Sequence, residues 1–232
     1  MNVTNINPII FTASVNDLKD QLLFDTAYAA ISESRRIKSD KYRFEKERHL
    51  SIGAEILLRY AIEYLSFEMP DFEFVYGKYG KPYFKNSKIN FSISHSDEYV
   101  ACALAGCDVG CDIEKVKDIN LGIAKRFFTE SEYLDIISKP SNDLMNDCFF
   151  RYWTLKESFI KATGRGMNIP LGSFSLDINS NRISVTQSVD NKDYNFEEFD
   201  VITGYRCALC YSGDKCDTEI HTVCIKDYLT AN

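Results

Sequence analysis

The chain has 232 residues, 45% of them hydrophobic, with 11 glycines, 5 prolines and no low-complexity tract; that is enough for one large domain or two small lobes and excludes a long disordered segment. A net charge of −7 excludes a general attraction to nucleic acid or anionic membrane, and nowhere do about 18 uncharged apolar residues follow one another. With no basic segment followed by an apolar run at the amino terminus, the cytoplasm is the expected address, and the eight cysteines are expected as reduced thiols.

Helical periodicity predicts a first helix over 15–31 and a longer one over 40–67, the latter with Ile52, Ile56, Leu57, Tyr60 and Tyr64 at helical spacing. The densest basic stretch lies here: Arg35, Arg36, Lys38, Lys41, Arg43, Lys46 and Arg48. Against an acidic remainder it reads either as a phosphate-binding face or as a solvated helix surface. After Pro70 the pattern changes to short strands, over 72–76, 89–94, 99–105 and 109–114, separated by turn-rich sequence such as Gly-Lys-Tyr-Gly-Lys-Pro at 77–82.

A second helical block follows. Thr129 and Glu132 carry the side chains of a capping box for a helix reaching Ser138. The next helix, over 144–163, is expected to be capped by Asp143, to be ended by Gly164 in a left-handed conformation, and to bury Cys148, Tyr152, Leu155, Phe159 and Ala162. From Phe174 onward the chain is strand-like again, which sets Cys207 and Cys210 on opposite faces and argues against a zinc site there. Helices then strands, twice over, predict an α+β fold of two similar lobes, residues 1–106 and 107–232.

In the strand over 109–114, Asp112 and Glu114 share one face, with Cα atoms about 6.6 Å apart. Two such carboxylates converge on a hard cation, and the same pattern fits an exposed acidic strand equally well. Glu157 interrupts an apolar stripe of Phe149, Trp153 and Ile160; drawn inside, it needs a metal, a lysine or a hydrogen-bond donor. On a helix surface it would only pair with Lys161, for about 0.3–0.5 kcal/mol. His95 ends a strand between Ser94 and Ser96. With no G-x-S-x-G elbow, phosphate recognition fits this cluster better than serine hydrolysis, and Gly164-Arg165-Gly166 lacks P-loop spacing.

Taken in order, Gly-Lys-Pro at 80–82, Phe-Ser-Ile-Ser-His-Ser at 91–96, Gly-Cys-Asp-Ile-Glu at 110–114, Ala-Lys-Arg-Phe-Phe at 124–128 and the run from Trp153 to Lys161 resemble the successive motifs of the surfactin-synthetase type of 4′-phosphopantetheinyl transferase. The resemblance covers most of the chain and is weakest before Ile31 and after Gly172. It implies a pseudo-twofold pair of α+β lobes with coenzyme A in the cleft between them and magnesium, or manganese, on its pyrophosphate. The reaction it implies is transfer of the phosphopantetheine arm to a serine of an apo acyl or peptidyl carrier protein, with release of 3′,5′-ADP.

Roles follow from the same resemblance. Asp112, Glu114 and Glu157 look like the metal carboxylates, with Glu157 also the general base and Lys161 the stabiliser of the leaving phosphate. Arg35, Lys38, Ser51 and His95 look like the 3′-phosphate and ribose-side contacts, with Lys81 and Ser94 beside the adenine and phosphates. The family pattern usually has asparagine where Ser92 stands and a branched apolar residue where Cys111 stands. An acidic carrier is expected near Arg165 and Met167. The chain is twice the size of the small trimeric holo-carrier synthases, so both lobes of the cleft are expected from one monomer. Two other readings stay open: another magnesium-dependent phosphate-ester enzyme, such as a hydrolase, and a non-catalytic module that binds coenzyme A or a carrier protein.

Overall fold

The computed structural model describes residues 6–66, 73–180 and 182–231. Phe67 and Phe72, at the ends of a predicted helix and a predicted strand, lie outside the described residues, as does the side chain of Met167.

The first strand is β1 (Ile9–Ser14), an almost wholly buried run without alternation that sequence periodicity does not distinguish from a buried helix segment. The helix predicted over 15–31 is interrupted at Asp20. Its backbone is extended, and its carboxylate accepts from Leu22 N–H and Leu23 N–H at 2.9 and 3.1 Å, so α1 runs only over Gln21–Ala30. A short helix α2 (Glu33–Ser39), capped by Ser32, follows, and then α3 (Glu45–Tyr64). Hairpin β2–β3 (Phe74–Tyr76, Pro82–Phe84) turns through Gly80 at φ +88°, and hairpin β4–β5 (Asn90–Ser96, Tyr99–Ala105) turns through Asp97 at φ +55°.

The second half repeats this plan with β6 (Val109–Lys115), α4 (Leu121–Phe127), α5 (Glu130–Ile137) and α6 (Asn142–Thr163). The Thr129/Glu132 capping box forms, and Gly164 ends α6 at φ +67°. Ser141, rather than Asp143, caps α6 by accepting from Leu144 N–H at 3.3 Å. Strands β7 (Ser175–Asp177) and β8 (Ser184–Thr186) form a ribbon, and β9 (Tyr194–Phe199) and β10 (Tyr205–Ser212) complete a three-stranded sheet of order β6-β10-β9.

The last two elements leave the lobe in which the sequence puts them. Strand β11 (Glu219–Val223) pairs in parallel with β1, making the first sheet β11-β1-β5-β4, and α7 (Ile225–Ala231) packs below it. Val223, Ile225 and Leu229 thereby join the core of the first lobe, so the division 1–106 and 107–232 is corrected at its far end. The cause is β1 itself, which lies inside its sheet and takes a strand on each edge, one of them from the far end of the chain.

The result is four layers. Helix α3 covers the outer face of the first sheet through Phe11, Cys102 and Leu104, and α6 covers that of the second through Ala208 and Cys210. The two inner faces meet in an apolar seam where Ala101 and Ala103 oppose Val109, Cys111, Ile113 and Leu209. Cys207 points into this seam and Cys210 away from it, as strand alternation requires. No helix among the described residues is long and apolar enough to cross a membrane.

Ile225 is 1% exposed and packs on Gly53 of α3. Truncating it to alanine is expected to destabilise the protein by about 2–5 kcal/mol, lowering Tm by roughly 5–15 °C for a chain of this size. A thermal melt of Ile225→Ala within a degree of wild type would show that α7 is not part of the first core.

Candidate active site at the seam between the lobes

Strand β6 and helix α6 touch at Gly110. A Cβ there would sit 2.0 Å from Ser158 O and 2.4 Å from Ala162 N, so only glycine permits this approach. The contact brings Lys161 Nζ to 2.7 Å from Asp112 Oδ1 and 3.0 Å from Cys111 O. Ser94 of β4 donates to the same Asp112 oxygen at 2.7 Å, while Asp112 Oδ2 is buried with no partner among the described residues. Two residues along β6, Glu114 accepts from Ser96 Oγ at 2.7 Å. Asp112 and Glu114 thus share the face of β6 turned to α6, the face from which Glu157 and Lys161 approach.

The carboxylates act on one another. Burial pushes the Glu157 carboxyl above its ordinary range, and the negative charge of Asp112 pushes it further. Burial raises Glu114 as well, against the pull of its Ser96 hydrogen bond. For Lys161 burial is the largest influence and acts downward, but Asp112 and the neighbouring acids outweigh it and hold the ammonium above its ordinary range.

Beside this cluster, and sharing Lys161 with it, a cavity of about 510 Å³ opens between the lobes. Arg35 and Lys38 of α2, His95 of β4, the β2–β3 hairpin and the end of α6 line it. Burial, with the nearby charges of Lys161, Lys38 and Arg35, lowers the His95 pKa and favours the neutral imidazole. Burial and the Arg35 charge lower that of Lys38. Both groups would be relieved by an anion.

Of the residues selected from the sequence, Arg35, Lys38, Lys81, His95 and Lys161 line the cavity, while Ser51 and Ser94 do not. Ser94 is occupied beneath it by Asp112, and Ser51 is buried in α3, its hydroxyl without a partner among the described residues. Lys81 reaches the cavity wall, but its ammonium donates to Val109 O and Lys161 O at 2.8 and 2.7 Å. It ties the β2–β3 hairpin to β6 and to the carboxyl end of α6, and burial lowers its pKa to about 8. Glu55, a fully buried carboxylate in the cavity wall, was not selected; its only local signal is an acid four residues before Arg59 inside an apolar helix.

The donor set suits a hard cation. Asp112 offers an orphaned buried oxygen, and Glu114 and Glu157 carry mutual repulsion that an ion would relieve. Among the described residues no three His, Cys, Asp or Glu side chains converge closely enough to hold an ion by themselves. An ion here therefore draws part of its shell from a ligand or water, as magnesium commonly does.

A basic cavity joined through one lysine to a buried aspartate and two half-buried glutamates marks a two-lobed α+β protein that handles an anionic ligand together with a cation. Residues 108–210 match the model of the 4′-phosphopantetheinyl transferase superfamily, and residues 19–107 that of the 4′-phosphopantetheinyl transferase N-terminal region. The chain is 35% identical over 203 residues to 4′-phosphopantetheinyl transferase gsp of Aneurinibacillus migulanus, covering 87% of this chain and 84% of that one. It is 34% identical over 183 residues to 4′-phosphopantetheinyl transferase Sfp of Bacillus subtilis (strain 168), covering 78% and 81%. The chain belongs to the 4′-phosphopantetheinyl transferases, the enzymes that move the phosphopantetheine arm of coenzyme A onto a carrier-protein serine.

The raised pKa of Glu157 predicts a stability effect of definite sign. A carboxyl that holds its proton more tightly folded than unfolded lets the folded state lose stability as pH climbs from the ordinary value of 4.5 through the raised one. In chelator at neutral pH, Glu157→Gln is therefore expected to melt above wild type, and the gain should vanish below about pH 4.5, where both side chains are neutral. A variant that melts below wild type at neutral pH would contradict this picture of the cluster.

Proposed function

We propose that the carrier serine attacks the β-phosphorus of coenzyme A at the junction of the cavity and the carboxylate cluster. Its Oγ forms the new P–O bond, and the pyrophosphate linkage breaks to release 3′,5′-ADP. The observation that supports this most directly is Lys161, which lines the cavity and also lies 2.7 Å from Asp112. One residue can thus touch a phosphate in the cavity while belonging to the acidic cluster.

Asp112, Glu114 and Glu157 would hold magnesium or manganese, which when bound neutralises charge on the transferring phosphoryl group and aligns it with the nucleophile. Glu157 takes the serine proton on a carboxylate oxygen, directly or through a water. Lys161 remains charged and donates to the departing phosphate. Arg35 and Lys38, with neutral His95 beside them, receive the 3′-phosphate and ribose side of the coenzyme. Ser94 and Lys81 serve by position: Ser94 holds Asp112, and Lys81 fixes the end of α6. The carrier protein docks near Arg165, just beyond the end of α6. Both walls of the cavity come from one chain, so a monomer suffices.

This division of labour predicts a split in the kinetics. Glu157→Gln is expected to lower kcat by about 10²–10⁴ with little change in the KM for coenzyme A. Lys38→Ala should instead raise that KM by roughly tenfold and leave kcat within about threefold. Equal turnover in the two variants would overturn the assignment of Glu157.

A further inference from the structure

Glu55 is an unexpected wall residue for a cavity that receives phosphate. It stands on α3 with a side-chain exposure of 0%, beside Arg35 and Lys38. A buried carboxylate survives only if its lone pairs are met, and here five donors meet them. Oε1 accepts from Ser32 N–H at 2.6 Å and from Arg59 Nε and Nη2 at 3.2 and 2.9 Å. Oε2 accepts from Ser32 Oγ at 2.8 Å and Arg35 Nε at 3.4 Å. Ser32 in turn caps α2, its hydroxyl accepting from Arg35 N–H at 3.3 Å.

The arrangement grips α2 at its cap and at its first basic side chain. Arg35 is engaged through Nε, and among the described residues no protein acceptor takes its two terminal nitrogens, while the side chain lines the cavity. A guanidinium is planar and rigid, so holding Nε sets the direction of the terminal pair, the fork that binds a phosphate through two parallel hydrogen bonds. A phosphate arriving there meets an arginine already oriented, and the cost of ordering it is not charged against binding.

We propose that Glu55 is a positioning residue for coenzyme A: by holding Arg35 through Nε it presets a fork for a phosphate monoester and sets the preference for coenzyme A over the 3′-dephospho form. The proposal rests on the reading of Arg35 as a 3′-phosphate contact. Glu55 touches no reacting atom and reaches the coenzyme through Arg35, a role distinct from its bonds to Ser32 and Arg59, which hold the helix pair together. Loss of general stability would weaken both coenzymes alike, whereas loss of the preset fork weakens only the one that carries the phosphate.

The test is steady-state kinetics with coenzyme A and with 3′-dephospho-coenzyme A on wild type, Glu55→Gln, Arg35→Ala and the double variant. Glu55→Gln is expected to raise the KM for coenzyme A about tenfold while moving kcat and the KM for the dephospho form by less than about twofold. Added to Arg35→Ala, it should change neither KM further. Arg35→Ala without effect on coenzyme A would overturn the reading of Arg35 and the proposal with it. Arg35→Ala weakening coenzyme A while Glu55→Gln spares it, or weakens both coenzymes equally, would overturn the proposal alone. Arg35→Lys keeps the charge and lacks the Nε–Nη fork, so it needs no change at Glu55. It is expected to lose the same discrimination, and a wild-type KM in that variant would likewise overturn the proposal.

Discussion

Helix α6 rests on strand β6 with no side chain between them at Gly110, and the site takes its geometry from the ion pair this permits, Lys161 on Asp112 at 2.7 Å. Withdrawing two charges from water is costly, and such a pair adds little to stability by itself. Its consequence here is placement. Cys111 O and Ser94 Oγ share the pair's hydrogen bonding, and one Asp112 oxygen, beside Glu114 and Glu157, has no partner among the described residues. Lys81 closes the arrangement from the other lobe by capping the carbonyl of Lys161. A helix displaced from β6 would leave Asp112 buried and unpaired and Lys161 out of register with the cavity.

The two lobes are joined by more than apolar contact. Alternate serines of β4 reach across to β6: Ser92 accepts from Cys111 N–H at 3.0 Å, Ser94 donates to Asp112, and Ser96 donates to Glu114 while accepting from Lys115 N–H. Hydrogen bonds that another sheet strand would make to this edge of β6 are thus supplied by side chains. The two departures from the family pattern meet here. The Cys111 thiol donates to Ser92 O at 3.3 Å in return for the backbone bond, so each unusual residue is the other's partner. Small alanines on β5 let the sheets approach closely enough for these bonds. The cleft is therefore part of the core, and its two walls are held in a fixed relation.

The legible parts of the site are those set by local periodicity. Asp112 and Glu114 share a face because side chains alternate along a strand, and Glu157 lies one turn from Lys161 because helices repeat about every 3.6 residues. The Thr129/Glu132 box and the left-handed Gly164 were readable for the same reason. Four features were not, and each depends on contacts distant in sequence. The β1–β11 pairing joins the two ends of the chain. Lys81 is drawn from the cavity to backbone carbonyls of the other lobe, and Ser51 faces the interior rather than the cavity. Glu55 looks like an ordinary partner of Arg59 until α2 folds back and adds Ser32 and Arg35.

The acidic cluster and the basic cavity are proposed to work as one transfer site that needs a divalent cation. Intact mass of an apo carrier protein, incubated with this protein and coenzyme A, with magnesium or with chelator, tests that most directly. The expected result is a gain of one phosphopantetheine, about 340 Da from its covalent composition, with magnesium and none with chelator. Equal gain in chelator would contradict the role given to Asp112, Glu114 and Glu157, and no gain across several carrier types despite coenzyme A binding would contradict the transfer itself.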